Sequence, residues 1–283
     1  MTPSMRSHPF LAAISRPVGK VGALLTLAIL ALLLAGLFLP VQDPFDATGL
    51  PGQGPSTAHW LGTDMLGRDV FSRVLHGGNT VILLATAATL VTYLLGCGIG
   101  CLAGYLGGWF DAIVMRAVDI FISFPSLLLI LILIAAVGKG TGVLVLAVAL
   151  AMMTHVSRII RTATQEVAVR GYVEVAVARG EGVGWIIARE IFPNIARPLL
   201  ADLGVRFSYA VILIASVNYL GLGLQPPSPD WGLMVADNVS ILALNPWATV
   251  APALLLALLT IAVNLIADSY AATIGHELAA PVL

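Results

Sequence analysis

The charged side chains that could bind a partner are concentrated in one polar segment, residues 158–198. Its arginines, with one that follows just beyond, are Arg158, Arg161, Arg170, Arg179, Arg189, Arg197 and Arg206. The whole chain has only 14 lysines and arginines, and long apolar runs flank the segment on both sides. A membrane protein that gathers its charge in one loop usually presents that loop to something soluble. The segment is therefore the first candidate for a functional surface.

Metal and enzyme chemistry have weaker support in the sequence. His59, Asp64 and Asp69 could be metal ligands, but their spacing matches no strong metal signature. The five histidines are scattered, with no H-E-x-x-H motif and no pair on one helix face. Cys97 and Cys101 lie inside an apolar run, which favours packing over a disulfide or a metal pair. We predict no metal site and no catalytic residue in this chain.

Composition sets the environment of the fold. The chain is 59% hydrophobic and 10% charged, with a mean hydropathy of +0.97, whereas soluble domains carry about 25% charged residues. A fold this apolar requires a lipid bilayer as its solvent. The net charge of −1 provides no basic field for nucleic acid.

Six apolar segments are long enough to cross a bilayer, for which a helix needs about 20 residues. They are residues 21–39, 81–106, 113–137, 143–160, 199–222 and 247–267. The first segment is too long for the apolar region of a signal peptide and is not followed by a cleavage site before Pro40. We therefore predict an all-α, multi-pass membrane protein with six transmembrane helices.

The distribution of lysine and arginine predicts the orientation. The basic segment 1–20 is assigned to the cytoplasm, and the segment 40–76, with four aspartates and two arginines, to the outside. Alternation then places the arginine-rich segment inside and the acidic segment 225–246 outside, with Lys139 as the one exception. Both termini are predicted to be cytoplasmic. The predicted units are a tail 1–20, a first helix 21–39, an extracytoplasmic segment 40–76, a five-helix core 77–268 containing a cytoplasmic loop 161–197, and a tail 269–283.

The outer segment contains the motif H-W-L-G-T-D-M-L-G-R-D at residues 59–69. Gly62 and Gly67 indicate turns, and Asp64 and Asp69 are suited to capping short helices. The residues assigned to this motif are Gly62, Thr63, Asp64, Gly67, Arg68 and Asp69.

Small residues predict close helix packing in the second long segment. Gly96, Gly100, Gly104 and Gly108 recur every four residues, which lets helix backbones approach closely in lipid.

Two local ion pairs are also expected. They join Arg116 with Asp119 and Asp202 with Arg206, each on one helix face near the inner end of its helix.

Within the arginine-rich segment, the pattern predicts two helices joined by a glycine turn. The first helix covers residues 161–178, with Gly171 as an interruption. Gly180, Gly182 and Gly184 then break the helix, because glycine costs about 1 kcal/mol relative to alanine inside one. A second helix, 185–192, ends at Pro193, and the next membrane helix begins near Pro198. This order predicts a compact protrusion.

The motif order in this segment resembles the EAA loop of ABC importer permeases. Tyr172 to Ala176 is followed by Gly180 and then by the run Ile191-Phe192-Pro193-Asn194. Val175 and Phe192 replace an alanine and a leucine of the family pattern. Three further regions resemble the peptide/nickel permease subgroup, and in particular its dipeptide and oligopeptide C-type subunits: residues 59–73; 103–111 with 115–119 and 124–125; and 220–227 with 231–232. The resemblance covers about residues 20–268.

This resemblance implies a type I ABC importer permease fold in a bacterial inner membrane, with a cytoplasmic coupling helix that docks on an ATPase. The residues it assigns to coupling are Tyr172, Glu174, Ala176, Ala178, Arg179, Gly180, Pro193 and Asn194. The implied partners are a second homologous permease, two ABC ATPase subunits or domains and an extracytoplasmic substrate-binding protein. No G-x-x-x-x-G-K-[ST] motif is present, so ATP and magnesium are expected on the partner ATPases, and no cofactor in this chain.

Di- or oligopeptides are the implied substrates, with nickel or a metal chelate as the alternative. Two other classes remain open, an intramembrane enzyme and a secondary transporter. The second would show midplane charges or matched broken helices in two halves, and neither is evident.

The predicted topology can be tested by labelling single cysteines from outside the cell. Substitutions at Gly54 and Ser228 should react, and one at Gly182 should be spared. Reaction at Gly182 would contradict both the orientation and the assignment of the loop.

Overall fold

The computed structural model describes residues 9–279, and this part of the chain forms α-helices and no β-strand. Residues 1–8 and 280–283 of the two predicted tails lie outside the described range. The helices are α1 (Pro9–Ser15), α2 (Pro17–Phe38), α3 (Val70–Leu106), α4 (Gly108–Ile122), α5 (Ser126–Val137), α6 (Thr141–Ala168), α7 (Gly171–Ala178), α8 (Val183–Ile186), α9 (Phe192–Tyr219), α10 (Trp231–Asn238) and α11 (Trp247–Ala279).

The transmembrane prediction is confirmed in its outline. Five helices, α2, α3, α6, α9 and α11, are long and apolar enough to cross a membrane, and the bent pair α4–α5 makes six if it counts as one span. The two boundaries that differ most from the prediction are the start of α3 and the end of α11. Helix α3 begins at Val70, because the Asp69 carboxylate caps it by accepting the Ser72 N–H at 2.7 Å. Helix α11 continues to Ala279, into the predicted tail 269–283.

The third predicted helix, 113–137, is not continuous. Helices α4 and α5 meet at an angle of 92° across residues 123–125. Pro125 explains the break, because proline disfavours helical backbone angles in the residue before it and cannot donate a backbone hydrogen bond. The prediction of one continuous helix is based on the apolar composition of residues 113–137, which does not indicate this interruption.

The arginine-rich segment also differs from the predicted pair of helices. Helix α6 ends at Ala168, and the extended backbone of Arg170 separates it from α7. Gly184 lies inside α8 and breaks no helix. The predicted end at Pro193 is wrong, because a π turn, Ile187–Ile191, leads straight from α8 into α9. The wider π turn provides room for the proline ring, which would clash with a regular preceding turn.

The prediction of close glycine packing is confirmed at three positions, where α3 lies against α6. A Cβ atom added at Gly96 would come within 2.7 Å of Val156 Cγ1, and one added at Gly100 or Gly104 would come within 2.7 Å of an α6 carbonyl oxygen. Gly108 does not share this role. It is exposed, has open space around it and adopts φ +58°, because α3 ends at Leu106 and the chain turns there.

The seam between α3 and α6 can be tested with two glycines of the same helix. A Cβ at Gly100 would meet Ser157 O and Ile160, whereas a Cβ at Gly98 meets nothing within 4 Å. We expect Gly100→Val to destabilise the protein by about 1–3 kcal/mol more than Gly98→Val, because only the valine at position 100 overpacks the contact with α6, while the change in helix propensity is shared. Thermal unfolding in detergent provides the comparison. Equal stabilities of the two variants would contradict the close approach.

Candidate functional site

Helix α7 exposes one face and buries the other. Val173 and Ala176 are fully buried, in a cluster with Ile160 of α6, Ile186 of α8 and Ile191 of the π turn. The exposed face carries Tyr172, Glu174, Val175, Val177 and Ala178. The short helix is therefore fixed on the bundle by an apolar contact and presents a mixed apolar and acidic surface.

Ala176, one of the residues assigned to coupling, does not lie on the exposed face of α7. Its side chain is 0% exposed, because a spacing of three residues places it on the same helix face as the buried Val173. Val175, the departure from the family alanine, is 56% exposed and belongs to the accessible face instead.

The predicted turn at Gly180 is confirmed. Gly180 has φ +81°, its N–H donates to Val177 O at 2.9 Å, and the Glu181 N–H donates to Ala176 O at 3.2 Å. These two bonds form a Schellman motif, in which glycine at the position after the cap satisfies the last carbonyls of the helix. Helix α7 therefore ends in a fixed turn that requires a left-handed residue.

Arg179 is held beside the start of α8. Its guanidinium lies 5.7 Å from the centre of the Trp185 ring and within 4 Å of the carboxylates of Glu181 and Glu190. The Glu190 carbonyl accepts a hydrogen bond from the exposed Asn194 side chain at 2.6 Å, next to the exposed Pro193. Helix α7, its Gly180 turn, α8 and the π turn thus lie together, and we call this part of the molecule the α7 end of the bundle.

Two arginines of the segment form ion pairs with helix α4, with the side chain of Arg158 51% exposed and that of Arg161 31% exposed. Arg161 pairs with Asp111 of α4 through two bonds of 2.5 Å, and Arg158 pairs with Asp119 of α4. The predicted pair of Asp119 with Arg116 is therefore wrong. Because α4 is a separate helix beside α6, Asp119 meets an arginine across the helix contact.

The other predicted pair is confirmed. Arg206 Nε lies 3.1 Å from the Asp202 carboxylate, and the Tyr93 hydroxyl on α3 donates to the same carboxylate at 2.7 Å. This group links α3 to α9.

At the opposite end, which we call the α10 end, the motif 59–69 folds into a cap. Gly62 and Gly67 adopt φ +73° and +76°, so both predicted turns are confirmed. The Asp64 carboxylate is fully buried and accepts the backbone N–H groups of Leu66 and Arg68 at 2.8 and 2.9 Å. Asp64 therefore caps a turn, whereas Asp69 caps the long helix α3.

Asp64 is also the centre of a buried charge group. Arg68 Nε lies 2.6 Å and Arg73 Nε 3.4 Å from its carboxylate, and Arg73 is 0% exposed. Arg68 Nη2 also lies 4.0 Å from Asp237 of α10. Burial raises the pKa of Asp237, and the two guanidinium groups oppose that shift. Asp64 thus contacts both buried guanidinium groups, and Asp237 is a second carboxylate beside Arg68.

Hydrogen bonds join the cap to the segment around α10. The Met65 N–H donates to Asn238 Oδ1 at 2.9 Å, and Asn245 Nδ2 donates to the carbonyls of Leu61 and Thr63 at 2.9 and 3.1 Å. The Thr63 hydroxyl in turn donates to Leu50 O at 2.5 Å. The two segments at this end therefore form one folded unit.

The metal interpretation of this motif finds no support in the geometry. His59 Nδ1 lies 3.0 Å from Asp69, while Asp64 is engaged by two arginines. Across residues 9–279 no group of three or more His, Cys, Asp or Glu side chains could hold a metal ion.

Sequence reasoning missed the polar group that fixes α10. The Asp230 carboxylate caps α10 by accepting the N–H groups of Gly232 and Leu233, and it accepts Asn218 Nδ2 at 2.9 Å. Burial raises the pKa of Asp230, and these donors oppose the shift. The buried Trp231 indole donates to Val74 O of α3 at 2.8 Å. An aspartate directly before a helical run was the available signal.

Comparison with protein families gives one match that covers most of the helical bundle. Residues 96–276 match the family described as binding-protein-dependent transport system inner membrane component.

Relatives of this chain include three permease proteins from different organisms. It is 35% identical to the glutathione transport system permease protein GsiD of Pectobacterium atrosepticum, over 80% of this chain and 75% of the relative. It is 30% identical to the dipeptide transport system permease protein DppC of Alkalihalophilus pseudofirmus, over 76% and 71%. It is 34% identical to the probable D,D-dipeptide transport system permease protein DdpC of Escherichia coli K12, over 89% and 85%.

A solved structure with a similar fold is an inward-facing form of the MetNI methionine ABC transporter. The alignment has a TM-score of 0.58 at 15% identity and covers 71% of this chain and 96% of that one. At this identity the similarity supports the ABC permease fold alone.

The role of the buried charge group predicts a specific loss of stability. Asp64→Asn removes the ion-pair partner of Arg73 and should cost about 3–5 kcal/mol, because it leaves a buried guanidinium uncompensated. Asp46→Asn, at an exposed aspartate of the same segment, is the matched control and should change little. Thermal unfolding in detergent, with proteolysis of the cap as a local probe, measures both. A stable, protease-resistant Asp64→Asn protein would show that the carboxylate is not required.

Proposed function

The chain belongs to the family of binding-protein-dependent transport system inner membrane components, and from that premise we propose that its α7 surface docks on a cytoplasmic ATPase. The observation that carries this proposal is the construction of α7. One face is anchored by Val173 and Ala176, the other is exposed, and the Gly180 turn fixes its end. A short helix held in this way can transmit force to the bundle, whereas a free loop would absorb it.

The surface chemistry suits a protein partner. Tyr172, Val175 and Val177 provide exposed apolar area around the single acid, Glu174. Aromatic and apolar side chains supply most of the binding energy at protein interfaces, while charges contribute orientation and specificity. We infer that the apolar face of α7 provides affinity and that Glu174 pairs with a base on the ATPase.

We base the proposed orientation in the membrane on the distribution of charged residues. In our proposal the α7 end lies in the cytoplasm, where Arg170, Arg179 and Arg189 are exposed. The α10 end, with the acidic groups of its cap, lies outside and receives the extracytoplasmic binding protein. Both termini are then cytoplasmic.

We also propose which other subunits complete the transporter. It contains no G-x-x-x-x-G-K-[ST] motif, so we assign ATP and Mg²⁺ to two partner ATPase subunits or domains and no catalysis to this chain. A second, related permease would complete the translocation path. The three named relatives are permeases for glutathione, a dipeptide and a D,D-dipeptide. We therefore propose short peptides as the substrate class, in preference to nickel.

Reversal of charge at Glu174 tests the docking proposal. Glu174→Lys changes an exposed residue, so folding and membrane level should be unchanged. If the acid faces a base on the ATPase, the new like-charge contact should cost several kcal/mol of association. Peptide uptake and co-purification of the ATPase with this chain should then fall together.

Glu166→Lys is the matched control, since Glu166 is an exposed acid on α6 outside the α7 surface. It should leave uptake and co-purification near the wild-type level. Wild-type uptake by Glu174→Lys at equal expression would remove Glu174 from the docking surface. Equal losses in both variants would indicate a general effect of charge.

A further inference from the structure

Helix α4 has very little apolar contact with the rest of the bundle. Of its 15 residues only Asp111 and Val118 are buried. Trp109, Ile113 and Ile120 are more than half exposed. Its ion pairs are both made with α6, Asp111 with Arg161 and Asp119 with Arg158, and it also contacts α3.

The two ion pairs are spaced differently on the two helices. Asp111 and Asp119 are eight residues apart, or about 12 Å along α4, whereas Arg158 and Arg161 are three residues apart, or about 4.5 Å along α6. The pairs therefore hold α4 at two points about two turns apart and α6 within a single turn. Two contacts separated along α4 fix its direction as well as its position.

The backbone bends sharply at both ends of α4. At one end, Gly107 and Gly108 adopt φ +62° and +58° with no atom within 4 Å of an added Cβ. At the other end lies the 92° bend before Pro125. Beyond the bend, α5 is fixed in the main core by Leu129, Ile130 and Ile134. Helix α4 is thus a short rigid rod between two bends.

Helix α6, to which α4 is attached, leads directly to α7. Helix α6 carries Arg158 and Arg161, and Ile160 between them belongs to the apolar cluster that anchors Val173 and Ala176 of α7. Two residues separate the end of α6 from the start of α7. A displacement of α7 therefore reaches α6 at the same helical turn that holds α4.

We propose that Asp111–Arg161 and Asp119–Arg158 are positioning pairs that make α4 follow α6, so that movement at α7 is passed to the bend at residues 123–125. The transmission step rests on the proposed function of α7. The attachment of α4 does not, and it can be tested separately.

The attachment is measured by hydrogen exchange on the complex purified through this chain and reconstituted in nanodiscs without nucleotide. In Asp111→Asn and in the Asp111→Asn/Asp119→Asn variant, peptides covering α4 should exchange several-fold faster than in wild type, and peptides covering α5 should not change. Arg116→Gln, an exposed residue of α4, is the control and should leave exchange unaltered. Unchanged protection of α4 in the double variant would overturn the proposal, whether or not α7 docks on an ATPase.

The transmission step is measured as peptide transported per ATP hydrolysed by the reconstituted transporter. Asp111→Asn and Arg161→Asp should lower this ratio several-fold while the ATPase still co-purifies. The exchanged pair Asp111→Arg/Arg161→Asp should recover most of it, because the ion pair is restored with reversed polarity. The transmission step would be overturned if the single variants kept the wild-type ratio of peptide to ATP. It would also be overturned if the exchanged pair folded but did not recover that ratio. If the ATPase fails to co-purify with the Glu174→Lys variant only, that result bears on the docking surface of α7 and not on the ion pairs between α4 and α6.

Discussion

The close approach of α3 and α6 is the constraint on which the rest of the molecule depends. In lipid, helices gain little from hydrophobic burial against one another, so their association relies on close packing. Gly96, Gly100 and Gly104 provide that packing because α3 places no side chain between itself and α6 at these positions. Helix α3 begins at the cap through Asp69, and α6 ends just before α7. The glycine seam therefore joins the two candidate interaction surfaces, at opposite ends of the bundle, through one rigid contact.

Charge is used differently at the two ends of the bundle. At the α10 end, Asp64 is buried with two arginines and holds the cap in one conformation. At the α7 end, Arg158 and Arg161 form partly exposed pairs with α4, while Arg179 is exposed beside Trp185. Exposed or partly exposed pairs are weaker and easier to rearrange than buried ones. In the proposed orientation, a rigid outer cap and a more adaptable inner end suit a subunit that receives a protein on one side and motion on the other.

Much of this architecture could be predicted from the sequence, because bilayer thickness and helix geometry restrict what an apolar run can form. The spans, the Gly180 turn and the glycine seam follow from local residue types. Ala176 shows where such reasoning fails, since its burial depends on a partner cluster contributed by other helices. Pro193 is a second case, because the π turn before it accommodates a ring that usually ends a helix. The pairs of α4 with α6 join residues 39 and 50 positions apart, and no local pattern indicates such partners.

The central claim is that α7 contacts an ATPase subunit, and site-specific photocrosslinking tests it most directly. A photoreactive amino acid at Tyr172, on the exposed face of α7, should form an adduct with the nucleotide-binding subunit in intact membranes. The same probe at Trp60, exposed at the α10 end, should form no such adduct. An ATPase adduct from position 172 and not from position 60 is the predicted result. A folded, expressed protein with no ATPase adduct from position 172, or with one from position 60 alone, would contradict the account.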